Sequence, residues 1–447
     1  MLSAGPPRSV LYRNSTAALL AGLFGGAYGF QIFFLSRSQG AVGAYMAMVI
    51  ALAWLVAFVT LLQHPVAFRP LVVRLTVFFG TLPFLDFAYA LVSGKSTIGF
   101  YSYMFQYAGF FTAPYWVWLT SRYGFRPAEV AIKWYALVVS IRQIAVFVLP
   151  EQLGQSPLGP AYDGTLVYAY VGGLPRVFGP GTIILVIAVM LYVSDWLKGR
   201  LLFRGFVAAV LCILATLMTL TRGTILIEFV MIGLVLTFGK GRSGILKKFI
   251  GSLSGMFCLA GVGALLWFAA NNAFSSDLGD RTSLDDATFK WRYAQVERAF
   301  YQSDRTWKDV VLGVGPNTFI RNDVNSRDET NELHYSWASI LWTFGVIGFS
   351  TLLVVCVRVT IDGWKLGREL PETFPWTLGL LVLFGMGIYA PVFTTLDGVL
   401  AVSVCTGTVT GAVVYNQKLK RAQKAANYNK RCAVRVNNFE TVRNEVY

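Results

Sequence analysis

The chain reads as an all-α, polytopic integral membrane protein, and three observations lead there. Hydrophobic residues make up 55% of its 447 positions and charged residues 14%, with mean hydropathy +0.56. Nearly all of that apolar content falls in stretches of about 17–25 residues, the length a helix needs to cross the hydrocarbon of a bilayer. A single long polar segment, Asn271 to Leu333, interrupts them. A soluble multidomain protein is excluded, because so few charged residues could not cover its surface.

Hydropathy and helix breakers predict about twelve spans, over 17–35, 41–62, 70–92, 98–119, 128–149, 180–196, 204–220, 223–238, 249–270, 335–357, 374–391 and 396–415. The first apolar run follows Arg8 and Arg13 but lacks a cleavage-site pattern, so it reads as a span rather than a signal peptide. Net charge is +15, yet in a membrane protein the placement of Lys and Arg matters more than their sum, and no nucleic-acid partner is implied. With the N-terminus inside, 25 of the 38 Lys and Arg residues lie on or beside the inner loops and the C-terminal tail. Both termini are therefore expected on the cytoplasmic side and the long polar segment outside.

The resulting division is 1–270, transmembrane helices 1–9 with Arg222 at an outer turn; 271–334, an outer segment; 335–415, transmembrane helices 10–12; and 416–447, a basic cytoplasmic tail. The tail is expected to be partly disordered and suited to an anionic inner leaflet, with no catalytic role. Four of the five cysteines lie inside apolar spans and Cys432 in the tail, in no disulfide or metal pattern.

The apolar stretch from Phe206 to Phe238 is too long for one span and is best split near Thr221-Arg222-Gly223. An arginine is costly at the membrane centre, whereas at a boundary its guanidinium reaches water or an anion. That turn falls on the same side as the long polar segment. There, Ser283 followed by Asp285 and Asp286 marks a helix start. Phe289, Tyr293, Val296 and Phe300 then form an apolar stripe, flanked by Arg292, on an amphipathic helix reaching about Tyr301 and lying on the membrane surface. Next, Leu312-Gly313-Val314-Gly315-Pro316 is a turn whose glycines permit close backbone approach. It is no dinucleotide fingerprint, since no strand precedes it. His334 then stands at the top of a span whose Gly345 and Gly348 suit close helix packing.

Each candidate has a plainer reading. His334 could cap a helix or bond a carbonyl. Arg222 could snorkel, or pair awkwardly with Glu228 six residues on. Arg292 could belong to a solvated face, as Arg281, Arg298 and Arg305 could more readily. Asp86 inside the third span suits helix packing, and Trp116, Trp118, Trp337 and Trp342 suit interface belts. Together they point further. Arginines suit bidentate contact with phosphate oxygens, and a neutral histidine accepts a hydroxyl proton. Two arginines and a histidine at an outer surface would suit attack by a hydroxyl on a lipid-linked sugar pyrophosphate, with the arginines neutralising the leaving group without metal.

The order of these motifs resembles the O-antigen ligase and Wzy-type polysaccharide polymerase superfamily. Thr219-Leu220-Thr221-Arg222-Gly223 is similar to its arginine-glycine turn. Trp291-Arg292 through Arg298-Ala299-Phe300, with Leu312 to Phe319, is similar to its arginine-bearing outer helix and glycine turn. Glu332-Leu333-His334-Tyr335, then Phe344-Gly345-Val346-Ile347-Gly348, is similar to its histidine and small-residue membrane helix. The close match covers roughly residues 219–350. Tyr335 stands where the family often has Asn, and Thr221 where Ser is frequent.

The resemblance implies metal-independent, inverting glycosyl transfer at the periplasmic face of a bacterial inner membrane, from an undecaprenyl-pyrophosphate-linked glycan and with no cofactor. Arg222 and Arg292 would hold the pyrophosphate, Arg281 remaining an alternative to Arg292, and His334 would deprotonate or orient the acceptor hydroxyl. Arg281, Arg298, Arg176, Tyr335, Gly313 and Gly315 would contribute to substrate binding. The expected partners are the lipid bilayer and a chain-length regulator or other polysaccharide-assembly proteins. A polymerase is favoured slightly over a ligase that uses lipid A-core. A flippase is the reading from another class, and would predict broken helices and charges near the midplane.

Overall fold

The computed structural model describes residues 39–81, 107–149, 167–171, 174–177, 181–219, 222–238, 305–315, 320–322, 328–330, 336–387 and 392–445, with isolated positions within 85–93 and 296–300. Helices dominate. They are α1 (Gln39–Gln63), α2 (Pro70–Leu75), α3 (Ala113–Tyr123), α4 (Arg126–Val148), α5 (Thr182–Leu197), α6 (Phe203–Met218), α7 (Arg222–Phe238), α8 (Trp307–Leu312), α9 (Ser336–Gly367), α10 (Phe374–Met386) and α11 (Leu396–Glu445). Three of them, α4, α9 and the Asp397–Ala425 part of α11, are long and apolar enough to cross a membrane. α5 and α6 are shorter apolar helices in the same bundle. Proline in the first turn starts α2, α3, α4 and α10, where its missing N–H has no helical acceptor to lose. α3 stops at Gly124, whose φ of 73° suits glycine alone.

The first half of α11 is the axis of the bundle. Fully 83% of its apolar window is buried, too much for a helix on the lipid-facing perimeter. Gly407 and Gly411 bring it against α3: a Cβ on either would come within 2.6 Å of Trp116 Cβ or the Val117 carbonyl. This small-xxx-small spacing lets two backbones touch where lipid supplies no hydrophobic drive. The perimeter is apolar instead, with Trp134 and Ile141 on α4, Phe203 and Phe206 on α6, and Val354 and Val357 on α9 all exposed.

Several expectations are corrected. The all-α class holds, with two short hairpins the sequence reading did not include: β1 (Val167–Val171) pairs antiparallel with β2 (Leu174–Val177), and β3 (Ile320–Asn322) with β4 (Asp328–Thr330). The basic tail is not disordered through most of its length, because α11 continues to Glu445. At its start Lys420 and Asn416 both donate to Glu369, which holds that carboxyl below its ordinary value of 4.5. Trp116 and Trp342 are not interface belts but lie inside the protein, 0% and 3% exposed. Finally, the expected span 335–357 is not one straight helix, since α9 breaks at Gly345 (φ 64°, ψ −168°).

One end of the bundle is tied by ions. Lys133 on α4 meets Asp195 on α5 at 2.5 Å, both side chains about nine-tenths covered. Lys198 and Arg200 approach Glu372 before α10. Removing one partner of a covered pair leaves a stranded charge, so Asp195→Ala is expected to cost about 3 kcal/mol and Lys133→Met/Asp195→Leu much less than the two single changes combined. Thermal unfolding in detergent checks this, and a double variant that loses the sum of the two single losses would contradict it.

Candidate functional site

The opposite end of the bundle, called the rim here, is where the functional candidates converge. Gly181, left-handed at φ 88°, starts α5 and donates its N–H to Asp397 Oδ2 at 2.8 Å, at the start of α11. Gln143, late in α4, donates to Thr182 at 2.6 Å. Ser140 bonds Cys212 in the second half of α6. Thr216, near the end of α6, hydrogen-bonds Glu228, near the start of α7. Ser336, the first residue of α9, accepts the Phe393 N–H at 2.9 Å just before α11. These bonds put the start of α7, which is Arg222, and the start of α9, two residues after His334, at the same end of the molecule.

At this end two glycine motifs form a clasp. α8 begins with a capping box, in which Thr306 accepts from the Asp309 N–H while the Asp309 carboxylate accepts from the Thr306 N–H. It ends at Gly313, φ 84°. The next amides reach α9: Val314 N–H donates to the Trp342 carbonyl at 3.0 Å and Gly315 N–H to the Thr343 carbonyl at 3.1 Å. Those carbonyls are available because Gly345 breaks the helix, so their usual donors four residues on have turned away. A Cβ on Gly313 would overlap the Thr343 carbonyl, and one on Gly345 would overlap the Val311 carbonyl. Gly345 was expected to receive a neighbouring helix; it receives a backbone loop instead. The break also folds the chain back, bringing the Trp337 ring to 5.4 Å from Phe349, whereas twelve residues of straight helix span ~18 Å.

The clasp is packed from both sides. Phe344 points into an aromatic cluster with Phe78, Phe79 and Tyr107. On the other side Ala299 and Phe300 pack on Trp342. Arg305 lies 4.9 Å over the Phe300 ring and 5.0 Å over Trp342, and donates to the Asp309 carbonyl. The sequence suits Arg305 to a solvated face; the rings hold its guanidinium in place instead.

Of the sequence-derived site residues, Gly313 and Gly315 stand in the clasp, and Arg222 is the first residue of α7. Arg176 lies in β2 opposite Ala169, in a hairpin whose second strand packs on α4 and α6. Arg281, Arg292, Arg298, His334 and Tyr335, the side chains of Arg222 and Arg176, and Asp86 lie outside the described residues. Sequence reasoning undervalued Glu228. It is 3% exposed within the bundle, bonds Thr216, and its Oε1 has no partner among the described residues. The signal was available, since an acid inside an apolar span is a functional candidate by default. Among the described residues no three His, Cys, Asp or Glu side chains are grouped to hold a metal ion.

Fold and rim together define a helical membrane protein whose distinctive backbone features gather at one end of the bundle. No protein-family model matches the chain, and no curated protein is significantly similar to it.

Proposed function

We propose that the protein polymerises undecaprenyl-pyrophosphate-linked oligosaccharide repeats into exopolysaccharide or O-antigen, at the periplasmic face of a bacterial inner membrane with both termini cytoplasmic. The observation that carries this reading is the order Thr221-Arg222-Gly223, arginine-bearing helix, glycine turn, His334, together with a bundle in which α7 and α9 both start at the rim. The first turn of α7 adds support, because its free amides favour an anion beside Arg222.

In the proposed reaction the acceptor hydroxyl oxygen bonds to the anomeric carbon of the donor sugar while the bond from that carbon to the pyrophosphate oxygen breaks. His334 takes the hydroxyl proton. Arg222, with Arg292 or Arg281, carries the charge developing on the departing lipid pyrophosphate. Attack opposite the leaving group inverts the centre. Arg298, Arg176, Tyr335, Gly313 and Gly315 would shape the surrounding surface, and a chain-length regulator is the expected protein partner.

Purified protein supplied only with lipid-pyrophosphate repeats is expected to lengthen them, in EDTA as well as in added Mg²⁺. Products that require lipid A-core would assign a ligase instead. A second reading, transport of lipid-linked oligosaccharide, is favoured by the broken helix and by the acid buried at Glu228. Against it, the break is filled by the loop amides of Val314 and Gly315. Movement of labelled lipid across vesicles without any new glycosidic bond would select transport.

A further inference from the structure

We propose that the segment from Arg305 to Gly315 is a fixed wedge embedded in bilayer lipid at the rim, with Trp307, Val310 and Leu312 among the acyl chains. In α8 these three side chains are 72%, 44% and 63% exposed, so half of a six-residue helix presents large apolar groups that the described residues leave uncovered. Left in water, each would forgo about 1.5–3 kcal/mol of burial.

The wedge is rigid, and its depth is set by the clasp. The capping box closes its start and two backbone hydrogen bonds tie its end to Trp342 and Thr343, just before the break in α9. α9 is itself one of the candidate spans. Immediately past the clasp, Val346 and Ile347 are 45% and 43% exposed on α9, so the end of α8 at Leu312, held there by the Gly313–Gly345 contact, adjoins exposed apolar residues of a membrane helix. An apolar surface adjoining a spanning helix takes the same solvent, which is lipid rather than a second protein. The charges agree with that level. Asp309 is turned onto Thr306, and Arg305 is stacked on rings. Lys308, exposed on the same turn, can reach headgroup phosphates, while tryptophan suits the boundary between headgroups and chains. This inference does not depend on the glycosyl-transfer reading.

The test uses the full chain in phosphatidylcholine vesicles, its five cysteines replaced by serine, with an NBD fluorophore on Val310→Cys. Phe206→Cys, on the apolar perimeter, is the lipid reference, and Arg421→Cys, exposed on the tail of α11, the aqueous one. The Val310 probe is expected to lose roughly half or more of its emission to acyl-chain nitroxide lipid, as Phe206 does, and to respond to iodide about threefold less than Arg421. Strong iodide quenching without nitroxide quenching would overturn the proposal, as would protection from both, which would mean that protein covers the face. The unaltered chain supplies a second readout. A diazirine-tailed phospholipid should crosslink to the peptide holding Trp307 to Leu312, and labelling of α6 without labelling of this peptide would also overturn it.

Discussion

Gly345→Ala is expected to destabilise the protein by about 3–5 kcal/mol, among the largest effects a single methyl group can have. Two costs combine. At φ 64° and ψ −168° the residue occupies a region open essentially to glycine. The added Cβ would also overlap the Val311 carbonyl, a backbone atom that cannot swing aside. Relief requires separating α8 from α9, which forfeits the Val314 and Gly315 hydrogen bonds, each worth about 1 kcal/mol. Gly313→Ala is expected to act alike, since its Cβ meets the Thr343 carbonyl across the same clasp. The double variant should lose less than the sum, because one separation relieves both clashes. Gly385→Ala is the control: no described residue lies within 4 Å of its Cβ, so it should be neutral or slightly stabilising. Thermal unfolding in detergent measures all four, and a Gly345→Ala protein with the melting temperature of the parent would refute the clasp.

Arg222→Ala and His334→Ala are each expected to reduce polymer formation by about 10²–10⁴-fold while leaving folded protein in the membrane. The two should differ in character. Arg222→Lys keeps the charge but loses the planar fork, so partial activity is expected, with weaker donor binding. His334→Gln keeps a hydrogen-bonding side chain but cannot carry a proton away, so donor binding should persist while turnover falls. Polymer length on gels, normalised to membrane-inserted protein, reads the effect. Either alanine variant making full-length polymer at normal expression would remove that residue from the mechanism.

Much of the helical layout was legible because lipid imposes it. The predicted breaks near Arg222 and near residue 180 fall where α7 and α5 begin, since a backbone in hydrocarbon must satisfy itself within each helix. Less was legible at the rim. The hairpin β1–β2 was missed although Gly172-Gly173 separates two strand-like runs, a common hairpin signal. Gly407 and Gly411 carry the small-xxx-small spacing that packs α11 on α3, and that too was overlooked. Arg305 could not have been distinguished by sequence from a solvated arginine, because its rings come from Phe300 and from Trp342, 37 positions away.

By itself the sequence determined a helical membrane protein, and it marked the order of arginine turn, glycine turn and histidine. Hydropathy and helix breakers are local properties, and hydrocarbon allows few ways to satisfy a backbone. Only the tertiary structure decided that Gly313 and Gly345, 32 residues apart, close on each other's backbones, that α9 folds back after its first turns, and that Trp307, Val310 and Leu312 are left facing outward. Such contacts depend on which carbonyls a broken helix leaves unpaired and which loop is near enough to donate to them. That is a property of the assembled bundle and of no single segment in it.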